Sequence, residues 1–153
     1  MNCTLVIIAC GAKKIWDNNP DAGPTPARDA YTGAPFRVNR RYAETFGDRW
    51  VILSAKYGFI DPDFIIPENY NVTFKKPKTN PVSIDALKKQ IMKMGLYNYD
   101  EIVVLGGKEY VNAVIKAFEG YNVKIKAPLM GLPLGKAMKR VKEALSTGKP
   151  FDC

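Results

Sequence analysis

The 153-residue chain contains no histidine. That absence removes Ser-His-Asp and Cys-His nucleophile chemistry and every His-ligated metal site. Any general acid or base must then be Asp, Glu, Lys, Tyr or Cys. Cysteine is scarce: Cys3, Cys10 and Cys153 are dispersed, odd in number and form no CxxC pair. A zinc site or disulfide framework is therefore not expected, and terminal Cys153 reads as inert. No apolar run approaches the ~18 residues that would span a bilayer. The opening Asn2 to Cys10 lacks the basic segment of a signal peptide. It reads as the first strand of a cytoplasmic protein with no membrane partner. No paired carboxylates, metal cluster or catalytic triad stand out, and no metal or cofactor is expected.

What is present is positive charge, +8 at neutral pH. Such a balance favours anionic partners: phosphates, nucleotides or nucleic acid. The plainer alternative is a surface of solvated lysines.

Short apolar, β-branched runs alternate with helical stripes. Leu5 to Cys10, Trp50 to Leu53, Glu101 to Leu105 and Asn122 to Ala127 read as strands. Helices are expected from Pro35 to Phe46, about Pro81 to Leu96 with Asn80 or Ser83 as cap, Lys108 to Phe118, and about Leu134 to Leu145. Ile115 and Leu134 are placed on the inward stripes. The pattern predicts a single three-layer Rossmann-like α/β domain over 1–153, with a mostly parallel sheet of about four strands. Long loops follow strands one and two. The first, from Gly11 to Gly33, holds a short turn near Arg28, Asp29 and Ala30. The second, from Tyr57 to Thr79, is too apolar to be a tail; it reads as an ordered lid with a short strand near Asn71 to Phe74.

In an open α/β sheet, ligands bind at the carboxyl ends of the strands. Every expected strand here runs into a loop of small residues. Cys10-Gly11-Ala12-Lys13-Lys14 follows the first strand. It resembles a phosphate-binding turn in outline but lacks P-loop spacing. Cys10 reads first as a small buried residue and alternatively as a nucleophile beside Lys13 or Lys14. Tyr31, Thr32 and Gly33 precede a helix that opens with Pro35, either as a capping turn or as an anion site. Ser54, Lys56, Tyr57 and Gly58 leave the second strand. Gly106 and Gly107 leave the third, and Gly131 follows the fourth. Asp29 is the best acidic candidate, with a cap or an Arg28 partner as the alternative.

These segments carry a family resemblance. Cys10 to Lys14, Asp29 to Gly33, Leu53 to Gly58 with Pro62 and Tyr70, and Gly131 to Gly135 together look like an uncharacterised bacterial, archaeal and phage family. Their order is similar to the YaaA superfamily, in which a Ser-Pro-Ala-Lys turn, a Tyr-Thr-Gly and a Leu-Ser-Gly-Leu-Tyr-Gly segment follow one another. YaaA proteins are associated with oxidative-stress protection and DNA binding, and are larger. The resemblance implies a pocket rather than a reaction.

The expected function is binding of a nucleotide, nucleobase or phosphorylated small molecule at the strand ends, with chemistry on it as an extension. Lys13, Asp29 and Lys56 are the candidate catalytic groups. Cys10, Gly11, Tyr31, Thr32, Gly33, Ser54, Tyr57, Gly58, Gly106, Gly107 and Gly131 are the candidate ligand contacts. The alternative is a YaaA-like nucleic-acid-binding protein without catalysis. It would use Arg37, Arg40, Arg41, Lys75, Lys76, Lys78 and the lysines of the last helix. A third reading makes the aromatic lid a partner-binding face.

Overall fold

The computed structural model describes residues 3–151. Cys153 lies outside them. Strand β1 (Thr4–Ala9) is central because its run Leu5-Val6-Ile7-Ile8 is apolar on both faces and wholly buried. Two short helices and a two-residue strand occupy the first long loop: α1 (Ile15–Asn18), β2 (Thr25–Pro26) and α2 (Ala27–Ala30). Helix α3 (Ala34–Phe46) leads to β3 (Arg49–Ser54), which folds back on β4 (Gly58–Ile60). After β5 (Ile65–Ile66) come α4 (Ile84–Met94), β6 (Glu101–Leu105), α5 (Lys108–Ala117), β7 (Lys124–Lys126) and α6 (Leu134–Thr147).

The main sheet has the order β4-β3-β1-β6-β7. All its pairings are parallel except β3 with β4. It therefore has five strands rather than about four. The extra one is an antiparallel edge strand, made possible by Gly58, whose φ of 78° suits a residue without a β-carbon. A second, two-stranded sheet joins β2 to β5. No strand forms at 71–74. There the Thr79 hydroxyl donates to the Thr73 carbonyl and accepts from the Thr73 N–H, closing a turn.

Alternation along β1 divides the core. Val6 and Ile8 pack with α3 and α6 on one face; Leu5 and Ile7 pack with α4 and α5 on the other. Two expected stripe positions face water instead: Ile115, 45% exposed, and Leu134, 63% exposed. The inward line of α6 is Ala137, Val141 and Ala144, whose small side chains suit packing beside α3. Ser83 caps α4 by accepting from the Ala86 N–H.

The segment 57–79 packs back on the domain, as its aromatics require. Tyr70 is buried, and Val72 and Phe74 lean on opposite core clusters. Phe64 and Ile65 remain exposed. At the β4 edge the Gln90 side-chain amide accepts from the Phe59 N–H at 2.8 Å and donates to the Tyr57 carbonyl at 2.9 Å. No helix among the described residues is long and apolar enough to cross a membrane.

Candidate functional site: a cleft at the strand switch point

From β1 the chain moves to β3 on one side; β6 later takes the other side. The strand order thus reverses between β1 and β6, where open α/β sheets form ligand crevices. The residues following these strands are Cys10 and Gly11 on one and Gly106 and Gly107 on the other. They form the floor of a cleft. A β-carbon on Gly106 would come within 2.7 Å of the Ala9 β-carbon, so close approach here requires glycine.

The cleft comprises two hollows sharing Cys10, Gly11, Lys75 and Tyr110. The larger, about 460 Å³, is walled by Phe36, Leu129, Leu132, Leu134 and Met138 and by the first turns of α3, α5 and α6. The smaller, about 290 Å³, is polar and basic, with Lys14, Lys75, Lys76, Tyr70, Asn71 and Thr73. Neither lining includes a carboxylate. The three helix starts bear no side-chain cap, so their first-turn amides add positive potential.

Lys14 is the unusual member. It is only 5% exposed, yet no carboxylate lies within ion-pair distance among the described residues. Its ammonium donates to the Ala12 carbonyl at 3.3 Å and stands 4.7 Å above the Tyr70 ring. Burial pulls its pKa below the usual 10.5, against opposing pulls from Cys10 and Asp17. The orientation comes from a bridge between Lys14 and Tyr31, backed by the Thr32 N–H donating to the Lys13 carbonyl at 3.1 Å.

The Tyr70 hydroxyl, at the smaller hollow, hydrogen-bonds the Tyr31 hydroxyl and lies 2.9 Å from Ser54 Oγ. Burial, followed by the influence of Cys10, drives the pKa of each tyrosine above its normal range. Tyr110 Oη lies 3.5 Å from Cys10 Sγ, and its pKa is raised for the same reasons in the same order.

The expected site residues separate into groups. Cys10, Gly11, Gly106 and Gly107 line the cleft. Tyr31 and Ser54 lie beneath it; Ser54 Oγ also accepts from the Lys56 and Tyr57 N–H groups. Lys13, Thr32 and Gly33 lie alongside but outside the lining, and Lys13 is exposed. Lys56 is exposed, 5.8 Å from the Tyr70 ring. Tyr57 packs against Tyr70 and Phe64 rather than facing the cleft. Gly58 serves the β3–β4 turn, where a β-carbon would collide with Gln90. Gly131 is a surface turn with φ 83°. Asp29 is exposed and pairs with Arg28 and Arg40.

Sequence reasoning named Lys14 only as a possible neighbour of Cys10 and Tyr70 only among the family motifs; neither they nor Tyr110 were among its candidate contacts. A buried lysine reads like any other in sequence. Tyr110 sits in the first turn of α5, which carries its hydroxyl to Cys10.

A family model matches residues 5–143 and is described as a family of unknown function, DUF6884. The chain belongs to that family. It is 46% identical over 125 residues to "Uncharacterized protein YfjM" of Bacillus subtilis (strain 168), covering 82% of this chain and 83% of that protein. Among solved structures it is similar to AF0587, a protein of unknown function, with 13% identity and a TM-score of 0.46. That likeness covers 99% of this chain and 47% of the other, so the chain spans about half the length of AF0587.

Proposed function

We propose that this DUF6884 protein binds an anionic small molecule with an apolar, ring-like portion, such as a nucleotide or phosphorylated nucleobase derivative. The observation carrying this reading is the cleft itself: an apolar hollow opening into a lysine-rich one, with no carboxylate in either lining. An aromatic ring suits Phe36, Leu129 and Met138, while a phosphate suits Lys14, Lys75, Lys76 and the uncapped amides of the helix starts. Burying a lysine without a carboxylate at ion-pair distance costs stability, and a bound anion would offset part of that cost.

The test is isothermal titration with nucleoside phosphates, the matching nucleosides and inorganic phosphate. Nucleoside phosphates should bind at least ~10-fold more tightly than either part alone. Absence of heat with every nucleoside phosphate at millimolar concentration would remove this reading.

The YaaA-like alternative, a nucleic-acid-binding surface, rests on the exposed Lys75, Lys76, Lys78 and Lys139 and on the charge of +8. Arg40 is less free for it, being engaged with Asp29 and Glu44. Steeply salt-dependent DNA or RNA retention with no nucleotide binding would favour that alternative.

A further inference from the structure

We propose that Cys10 is the nucleophile of a covalent step in this cleft, attacking an electrophilic C=O or C=N carbon of the bound anion, with the Lys14 ammonium supplying positive charge in the same hollow. The proposal rests on the anion-binding reading for delivery of the ligand.

Three separate features converge on this sulfur. First, Cys10 belongs to the wall common to both hollows. A ligand with its ring in the apolar hollow and its anion in the basic one must carry its connecting atoms past Cys10. Second, Tyr110 Oη is 3.5 Å from Sγ and can donate to a thiolate. Burial and the nearby thiol keep Tyr110 protonated as such a donor. Third, Lys14 lines the same basic hollow, is buried, and lacks a carboxylate partner among the described residues. As an ammonium it attracts the bound anion and the negative charge that develops as the sulfur attacks. Lys75 and Lys76 are exposed and add to that attraction.

The step balances without a co-reactant. The S–H proton passes to solvent. A sulfur electron pair forms the C–S bond as the C=O or C=N π bond breaks. The oxygen or nitrogen receives the π electron pair and then a proton from solvent. Reversal returns the thiol.

Alkylation of the full-length protein provides the test, read peptide by peptide by mass spectrometry, with exposed Cys3 as internal reference. The probes are anionic iodoacetate and neutral iodoacetamide. The iodoacetate-to-iodoacetamide rate ratio should be roughly tenfold higher at Cys10 than at Cys3, because the carboxylate is drawn towards Lys14. Lys14→Met should bring the Cys10 ratio down to that of Cys3. Lys14→Gln should do the same while keeping a donor for the Ala12 carbonyl, which covers a folding failure of the first variant. Equal ratios in the wild type, or an elevated ratio surviving both substitutions, would overturn the proposal. A protein that binds nucleotides but labels Cys10 no differently from Cys3 loses the nucleophile and keeps the binding site. A protein that binds no anion yet labels Cys10 preferentially loses the binding site and keeps the nucleophile.

Discussion

Two buried lysines, one in the loop after β1 and one on edge strand β7, have different surroundings. Lys126, 6% exposed, makes a 2.8 Å ion pair with Glu101 and is close to the Phe151 carbonyl. The hydrogen bond from Lys126 holds the Glu101 carboxyl below its ordinary pKa. Lys14, equally buried, has one backbone acceptor and an aromatic face but no carboxylate. A buried charge with its counter-ion built in is part of the scaffold. One without is compensated less fully by the chain itself, and a bound anion can offset more of its cost.

The contrast can be broken most directly at Glu101. Glu101→Gln leaves Lys126 unmatched and should cost about 2–3 kcal/mol in urea unfolding, with nucleotide binding unchanged. Lys14→Met should show the reverse. Stability should move by less than about 1 kcal/mol, or rise, while nucleoside phosphate affinity falls roughly tenfold or more, ~1.4 kcal/mol, by titration calorimetry. Tyr70→Phe should cost about 1 kcal/mol, because the Tyr31 and Ser54 hydroxyls lose their shared partner; thermal melting would read it.

The smallest effect is in pH dependence. Lys14 has a folded pKa below 10.5, so the unfolded chain holds more protons in the window between the two values. Stability therefore gains a positive slope as pH rises through that window. Subtracting the Lys14→Met profile isolates the lysine, and the difference should rise with pH through that window. Glu101 acts at the other end of the scale. Its folded pKa is depressed from 4.5, so its contribution is present above that value and is lost as acid takes the pH down through the folded pKa. Glu101→Gln should abolish that acid-side loss.

Local pattern was enough for β6, found at Glu101–Leu105 as expected, and for the α3 start beside Pro35, because these depend on neighbouring residues alone. It was not enough for β4, which depends on Gly58 turning the chain and on Gln90, 31 residues away from Phe59. The cleft was half legible. Small residues after parallel strands announced Cys10, Gly11, Gly106 and Gly107. The choice between adjacent Lys13 and Lys14 was hidden, because the Tyr31 bridge that turns Lys14 inward joins positions far apart in sequence. Tyr70 was hidden for the same reason: it lies in a Pro- and Asn-rich stretch, and only the tertiary fold brings it to Tyr31 and Ser54. Asp29 looked chemical because it was the acid nearest the motif, but Arg28 and Arg40 hold it at the surface.

The Gln90 carboxamide has a consequence for assembly. It presents one acceptor and one donor to the outer backbone of β4, much as the peptide group of an adjoining strand would. With those two groups taken, that flank is a poorer template for extension. Replacing Gln90 with leucine would free those two backbone groups and make that edge readier to pair with another strand.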